Sequence, residues 1–539
     1  MTLPLRAEAT EESADVLVIG GGPAGAWAAL SAAEAGLRVI LVDKGYFGTS
    51  GATAPSNTGT WCVAPGHREA EIQRRMKLTG EMADEDVIGR TLDGAWQGLH
   101  QLLRWGYPFP KDQQGQPYIA NLRGPDYMRF MRQKARQAGV IIYDHSPALA
   151  LLQDSEGVAG AAGIHRQKNR FWRITATAVI LATGGCAFGE RFLGAAGLTG
   201  DGYLLGAQAG AVLSGMEYSA QYGITPRHTS MNKGIIYQWA TFYDREEKPL
   251  IVTGDRQSAL AQALLNGPVY ARLDRADPAL QRLLRQSQPN CFVPFDRQGI
   301  NPFSDRFEII LRNEGTVRGL GGLRLIAATG ATDVPGLYAA GDAASREQMN
   351  GAISGGGGPN ASWAIASGRA AGQAAALLAQ RQRHSLARRQ QQHRRTALWD
   401  LGGIGADLQI SRRAEGPDAE TILRAVREEM LPLEKNFFRS AEGMTHSMTR
   451  LYQLYKTLSL HGYGEADRQM PGLLQRREAR ALLSVARWTY KAALLRQESR
   501  GIHRRLDQPT LNPALNRHIL LKSTGRAAWD RPLSLSESL

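Results

Sequence analysis

The chain has 539 residues, more than one hydrophobic core organises, so roughly two to four domains are expected. Hydrophobic residues make up 43% and charged residues 21%, which excludes a disordered chain. The formal net charge is +14, with the excess late in the sequence, at 380–395 and 476–505. A solvated basic face accounts for such runs. Aromatic residues are not interleaved with them, which argues against nucleic acid; an acidic electron carrier fits the charge but is not identified by it.

The first residues, MTLPLRAEATEESAD, lack an apolar signal core and carry acids, so they read as a short disordered lead on a cytoplasmic protein. The most apolar stretches, 16–42 and 363–379, are interrupted by Glu34, Arg38 and Arg369, so no membrane span is expected. Three cysteines, Cys62, Cys186 and Cys291, form no C-x-x-C pair and no cluster with metal-ligand spacing. No metal or iron–sulfur cluster held by this chain is expected, and a reducing compartment fits.

The first element is a strand, Val16 to Ile19, apolar at every position and suited to burial on both faces. Gly20, Gly22 and Gly25 follow in G-x-G-x-x-G spacing, then a helix from Ala26 to Glu34, a second buried strand from Val39 to Val42, and Asp43. This is the dinucleotide fingerprint in full context. Gly20 permits the tight turn, Gly22 admits a pyrophosphate to the backbone, and Gly25 lets the helix approach the strand. The helix start favours the phosphate charge, and Asp43 can accept from ribose hydroxyls. These residues leave FAD and NAD both open. A Gly/Ser/Thr-rich loop from Gly45 to Gly59 adds backbone donors near the ligand.

Residues 67–106 read as mostly helical, with Trp96, Leu99, Leu102, Leu103 and Trp105 on an apolar stripe. Met128 to Gln137 form another helix and Val140 to Tyr143 a strand. Residues 149–177 suggest a β-meander, with turns at Ser155–Gly157 and Lys168–Asn169. Ala178 to Ala182 form a buried strand ended by Thr183-Gly184-Gly185, and Thr199-Gly200-Asp201-Gly202 opens a helix through Ala209. Residues 218 to about 322 turn polar and aromatic and read as an α+β insert. α/β character then returns with the strand ending at Gly341-Asp342 and a small-residue helix from Asn360 to Ala379. From about 385 the chain reads as helical, with helices near 418–430, 440–458 and 473–496. No solenoid repeat is present.

Four motifs, VLVIGGGPAG…VDKG, VILATGG, TGDGYLLGAQAGA and GLYAAGDAA, stand in that order. Together they resemble the succinate dehydrogenase / fumarate reductase flavoprotein family, which includes L-aspartate oxidase and the adenylylsulfate reductase α subunit. The helix segment SGRAAG (367–372) and the stretch LLRQESRGIHRRLDQP (494–509) extend the resemblance over nearly the whole chain. It implies FAD, on an α/β fold: a Rossmann-like FAD-binding domain (1–217 and 323–384) interrupted by an α+β capping domain (218–322), then a C-terminal helical domain (385–539).

The resemblance also distributes roles. Gly20, Gly22, Pro23, Ala24 and Gly25 would hold the pyrophosphate, and Asp43 and Lys44 would sit at the adenosine ribose. Ser50, Gly51, Ala52 and Thr53 would pass the isoalloxazine, and Ala148 would pair with the adenine through its backbone. Thr183 and Gly184 would flank the adenosine half, and Asp201 would lie by the flavin. Asp342, following Gly341, would take a ribityl hydroxyl where the family more often has Glu. Asn360, Ala361 and Ser362 would start a helix whose positive end faces the flavin and stabilises negative charge on its reduced form.

Departures from the family carry as much information. Gly51 stands where the succinate dehydrogenases have the histidine that bonds the flavin, so FAD is expected to be bound non-covalently. The family's His-Gly-Ala-Asn-Arg substrate motif is Asn350-Gly351-Ala352-Ile353-Ser354 here. Without that imidazole and guanidinium, a dicarboxylate clamp is lost, and succinate, fumarate and aspartate are poor candidates. The Ser-Gly-Ala loop and the aromatic insert look more like the adenylylsulfate reductase side.

Candidate catalytic residues are Arg318, Asn350, Tyr222 and His228; Arg318 is also readable as a surface arginine in a glycine turn, Asn350 as a turn asparagine and His228 as a surface histidine. Arg500 and His503 are expected to tie the C-terminal domain to the flavin domain. The expected function is a two-electron redox step on a small, polar, anionic organic molecule, with electrons passing to O2, a free carrier or a separate ferredoxin-type iron–sulfur protein, the last being favoured. An L-aspartate-oxidase-like amine oxidase using O2 is the alternative. An electron-transfer subunit with a degenerate substrate site is a third reading, and an oligomer is left open.

Overall fold

The computed structural model describes residues 9–80, 82–111, 114–232, 235–252, 254–382, 416–460, 470–522 and 534–535. The basic run at 380–395 lies outside these from residue 383 onward, as does the lead before residue 9.

The main sheet has seven strands: four parallel ones, two of an antiparallel meander, and one shared between the two sets. Its order is Ile141–Tyr143, Val39–Val42, Thr10–Ile19, Arg170–Leu181, Gly157–His165, Ala148–Asp154. The long strand Arg170–Leu181 does two jobs. Its first half pairs antiparallel with Gly157–His165, and its last three residues pair parallel with Leu337–Ala339. The first strand is longer than the apolar run alone suggests. Thr10 to Ala14 of the expected lead are already paired with Trp172 to Ala176, so the strand starts six residues before Val16. Backbone hydrogen bonding to a neighbouring strand overrides the polar composition there.

Side-chain alternation sorts the parallel strands into two cores. Leu17, Ile19, Ile40, Val42, Val179, Leu181 and Ala339 face one way, and Val16, Val18, Leu41, Ala178, Ile180 and Ala340 the other. The second face is covered by the fingerprint helix Pro23–Ala33, by Gly124–Gln137, and by the long closing helix Gly357–Arg381. Small residues make that cover close. A Cβ on Gly368 or Gly372 of the closing helix would lie 2.4 or 2.3 Å from the carbonyl oxygens of Ala24 and Ala28. The first face is packed by Asp201–Ala209 and by the late helices Ala419–Met430, Ala441–Leu460 and Met470–Leu495.

The mostly helical stretch 67–106 forms two helices, Arg68–Thr79 and Glu85–Arg104. Gly80, at φ +60°, closes the first, and the Asp84 carboxylate caps the second through Val87 N. Within the second, Leu99 and Leu102 are buried as expected, while Leu103 is exposed and Trp105 stacks on Trp27. A separate four-stranded antiparallel sheet runs Tyr222–Pro226, Phe307–Asn313, Val269–Arg272, Thr241–Tyr243. Its core is aromatic, with Tyr237, Phe242, Phe292, Phe295 and Phe307.

The arginines of 476–505 are not a solvated face. Arg476, Arg477, Arg496, Arg500 and Arg505 are all buried. Arg496 pairs with Glu217 and Glu498, Arg500 with Glu498, and Arg505 with Asp507. Their charge is matched by carboxylates close by in the sequence, Glu498 and Asp507, and by the distant Glu217. Among the described residues, no helix is long and apolar enough to cross a membrane.

Candidate functional site: a cleft at the strand ends

The parallel strands end together at Ile19, Val42, Leu181 and Ala339. In open α/β sheets the loops leaving such carboxyl ends form the binding crevice. Here Gly20–Ala24, Asp43–Gly45, Ala182–Gly184 and Gly341–Asp342 line one cleft of about 590 Å³. The loop Thr49–Thr53, the Ser146–Ala148 turn and the start of the closing helix complete it.

The three fingerprint glycines are needed for different reasons. Gly20 sits at φ +110°, and a Cβ there would be 2.3 Å from Ala182 O. A Cβ on Gly25 would be 1.8 Å from Gly20 O, so Gly25 lets the helix meet the turn. Gly22 is different, because a Cβ there would meet no protein atom within 4 Å and would point into free space. What Gly22 leaves room for is therefore a ligand. Two helices aim their amino ends at the cleft: Pro23–Ala33, preceded by Gly22, and Gly357–Arg381, preceded by Gly356. Their free N–H groups and dipoles favour anionic groups. The closing helix starts three residues earlier than expected, which puts Asn360 and Ala361 at the end of its first turn, still lining the cleft.

Asp43 holds the fingerprint in shape. Its Oδ2 accepts from Gly21 N at 2.6 Å, and its Oδ1 from Gly45 N at 2.7 Å and Ser50 Oγ at 2.9 Å. Next to it, Lys44 Nζ donates to Thr199 Oγ1 at 2.7 Å and Asp201 Oδ2 at 2.8 Å, with Glu478 Oε1 at 3.0 Å. Burial works against the charge on Lys44, but Asp201 and Glu478 outweigh it and raise its pKa. Burial likewise opposes ionisation of Asp201, yet Lys44 holds its carboxyl below the ordinary range. The group is an ionised cluster at one end of the cleft.

Three buried polar atoms on the cleft wall have no partner among the described residues: Thr183 Oγ1, Asp201 Oδ1 and Asn360 Oδ1. Buried polar atoms are almost always satisfied, so these await a ligand rich in hydroxyl or amide groups. Together with the helix ends and the space at Gly22, they fit FAD. Gly51, at φ +81°, carries no side chain toward the cleft.

Most residues expected to touch the cofactor line this cleft: Gly20, Gly22, Pro23, Ala24, Asp43, Lys44, Ser50, Gly51, Ala52, Thr53, Ala148, Thr183, Gly184, Asp201, Gly341, Asp342, Asn360 and Ala361. Gly25 and Ser362 do not. Gly25 is a packing position, and Ser362 Oγ accepts from Trp61 N at 2.8 Å inside the protein. Asp342 is held by the fully buried Arg346, whose burial lowers its pKa to about 10. Arg346 Nη2 also donates to Thr316 O at 2.5 Å and to Gly319 O, which braces the turn carrying Arg318.

The candidate catalytic residues separate. Arg318 lines the cleft opposite Gly357 and has no hydrogen-bond or ion-pair partner among the described residues. Asn350 is buried away from it, with its Oδ1 taken by Arg75, which lies over the Trp61 ring. Tyr222 is also buried. Its hydroxyl donates to Leu431 O at 3.1 Å and its ring packs edge-on against Phe437. It is a strut between the aromatic insert and the C-terminal segment. His228 lies on the exposed turn after Tyr222–Pro226 and does not reach the cleft. Among the described residues no histidine lines the cleft. Sequence reading missed Glu478, Ser146, Arg166 and Gly197, which do line it.

Residues 15–228 match the model of an FAD binding domain, and residues 428–527 that of the fumarate reductase flavoprotein C-terminus. The chain is 26% identical to a fumarate reductase flavoprotein subunit of Mycobacterium tuberculosis over 92% of each chain. It is also 26% identical to an L-aspartate oxidase of Mycobacterium bovis, over 96% of this chain and 97% of that one. Its fold superimposes on the FrdA subunit of E. coli quinol fumarate reductase with a TM-score of 0.80 at 20% identity, covering 98% and 96% of the two chains. The cleft, the fingerprint and both matched regions make the chain an FAD-dependent oxidoreductase that belongs to the succinate dehydrogenase / fumarate reductase flavoprotein superfamily.

Proposed function

We propose that the protein carries out a two-electron redox step on a small, polar, anionic organic substrate, bound between the cofactor and the aromatic insert. The observation that carries this is Arg318. Its guanidinium has no partner among the described residues, lies on the cleft wall facing the start of the closing helix, and sits on a turn braced by Arg346. A fixed, unpaired guanidinium beside a helix amino end is a receptor for a carboxylate or another oxyanion. FAD, when bound, supplies a two-electron acceptor. Arg318 would bind and orient the anion, and the insert would exclude water as it closes. In this reading residues 1–217 and 323–384 form the FAD-binding domain, 218–322 the cap and 385–539 the helical domain. The residues lining the cleft also favour non-covalent FAD, since Gly51 offers no nucleophile.

The electrons would leave to a separate ferredoxin-type iron–sulfur protein. The near-full-length likeness to a protein named as a fumarate reductase flavoprotein subunit supports a separate electron partner. Anaerobic stopped-flow mixing with a panel of small organic anions tests the reading. One of them should bleach the flavin, and Arg318→Met should raise the half-saturating concentration by about tenfold to a hundredfold, the range for losing a charged hydrogen bond. Bleaching that is equally efficient in the variant would sink the role of Arg318. The near-full-length likeness to an L-aspartate oxidase supports a second reading, amino-acid oxidation by O2. Hydrogen peroxide formed in step with an amino acid consumed would favour it.

A further inference from the structure

Among the described residues, Glu478 is the one from the late helix Met470–Leu495 that reaches the cofactor cleft. That helix is seated along the adenosine end. Leu473 and Leu474 pack with Leu149 and Ile164 of the meander, directly after Ala148. Val485 meets the TGDG turn so closely that a Cβ on Gly200 would lie 2.7 Å from it. Between these two anchor points, Glu478 Oε1 is 3.0 Å from Lys44 Nζ. Its carboxylate has no other partner among the described residues.

The residue expected to take the ribose, Asp43, is largely committed elsewhere. Its two oxygens accept from Gly21 N, Gly45 N and Ser50 Oγ, three of the roughly four lone-pair positions a carboxylate offers. Asp43 shapes the loop. Glu478 presents a second carboxylate to the same end of the cleft, oriented by Lys44, which also holds Asp201 there rather than at the flavin end where it was expected.

We propose that Glu478 completes the adenosine half of the FAD site by accepting a ribose hydroxyl, so that the helix Met470–Leu495 forms a wall of the cofactor site. The inference does not depend on the identity of the substrate. Lys44 acts as the positioning residue: it fixes one oxygen of Glu478 and leaves the other for the ligand.

Apo-protein is titrated with FAD and, separately, with FMN, which lacks the adenosine, following quenching of flavin fluorescence; the thermal midpoint of each apo form is also recorded. Glu478→Gln, which keeps the shape but loses the charge, is expected to weaken FAD about tenfold, as for a charge-assisted hydrogen bond. Any response to FMN and the apo midpoint should match wild type. Lys44→Met should weaken FAD as well, and adding Glu478→Gln to it should cost less than it does alone, because the two act as a unit. Unchanged FAD affinity in Glu478→Gln would overturn the proposal. So would a weakening matched by an equal loss of FMN binding or by a lower apo midpoint, which would make Glu478 a purely structural contact.

Discussion

Arg496 donates to Glu217 across 2.7 Å with both side chains out of solvent. The pair joins the late helix to the chain just ahead of the aromatic insert. Around it, Arg496 also donates to Glu498 at 2.9 Å, Arg500 donates to the same carboxylate, and Arg439 donates to the backbone carbonyl of Glu217 at 2.7 Å. Breaking one side of a buried pair leaves a stranded charge, which costs about 3–5 kcal/mol. Arg496→Met should therefore lower unfolding stability by that order. The double variant Arg496→Met/Glu217→Met should recover part of the loss, because it removes both charges. Urea unfolding of the three proteins measures this. A loss below about 1 kcal/mol in the single variant, the size expected of an exposed pair, would show that the pair is not buried in solution.

His503 makes a pH-dependent contribution to the same region. Its Nδ1 lies 2.7 Å from Arg439 Nη1 and its Nε2 3.2 Å from Arg496 O. A guanidinium can only donate, so Nδ1 accepts, Nε2 carries the proton, and the ring is neutral. Burial first, and then the charge of Arg439, push the imidazole well below its ordinary value of 6.5. The unfolded chain takes up a proton near 6.5 while the folded protein does not. The stabilisation is therefore complete above pH 6.5 and is lost as pH falls below it, by at most about 1.4 kcal/mol per pH unit. Thermal midpoints between pH 7.5 and 5 should fall more steeply in wild type than in His503→Gln. Parallel profiles would show that His503 titrates normally in the folded protein.

The fingerprint glycines predict opposite outcomes for two small substitutions. In Gly25→Ala the new methyl meets Gly20 O, and in Gly22→Ala it meets no protein atom. Gly25→Ala should destabilise the apo-protein by about 1–3 kcal/mol, the cost of overpacking. Gly22→Ala should leave apo stability unchanged yet weaken FAD, since its methyl occupies the approach to the pyrophosphate. Apo thermal midpoints and FAD titrations of the two variants separate the effects. An FAD affinity untouched by Gly22→Ala would place the pyrophosphate elsewhere in the cleft.

What could be read before the fold was known was local. Gly20, Gly22, Gly25 and the run Val16–Ile19 carry their structural demands in adjacent residues, and the strand and turn follow from them. The site at Glu478 could not be read that way. Its place beside Lys44 comes from the packing of a late helix on the meander, which no spacing encodes. The same holds for Arg496, a surplus charge in a count of residues but the partner of Glu217 once folded. Tyr222 and His228 were attractive for their chemistry, yet packing buried one and left the other in solvent. The helical character of 67–106 was legible, but the break at Gly80, set by its left-handed backbone, was not.

The absence of a tether at the flavin loop is the last point open to direct test. Covalent flavin links use a nucleophilic side chain placed against the ring, such as an imidazole, a thiolate or a phenolate. Gly51 provides none, and among the described residues no histidine, cysteine or tyrosine lines the cleft. Cys186 is buried behind it, and burial pushes its thiol up to about 12, so it is held protonated and unreactive. On the proposed reading, the helix ends, the cluster at Lys44 and the polar atoms of Thr183, Asp201 and Asn360 hold FAD without a covalent bond. Acid precipitation protonates the carboxylates and unfolds the chain, which abolishes all of these together. The whole of the yellow colour should appear in the supernatant as intact FAD. Colour remaining with the washed pellet would show a covalent bond and place a nucleophile at the ring that the cleft lining does not contain.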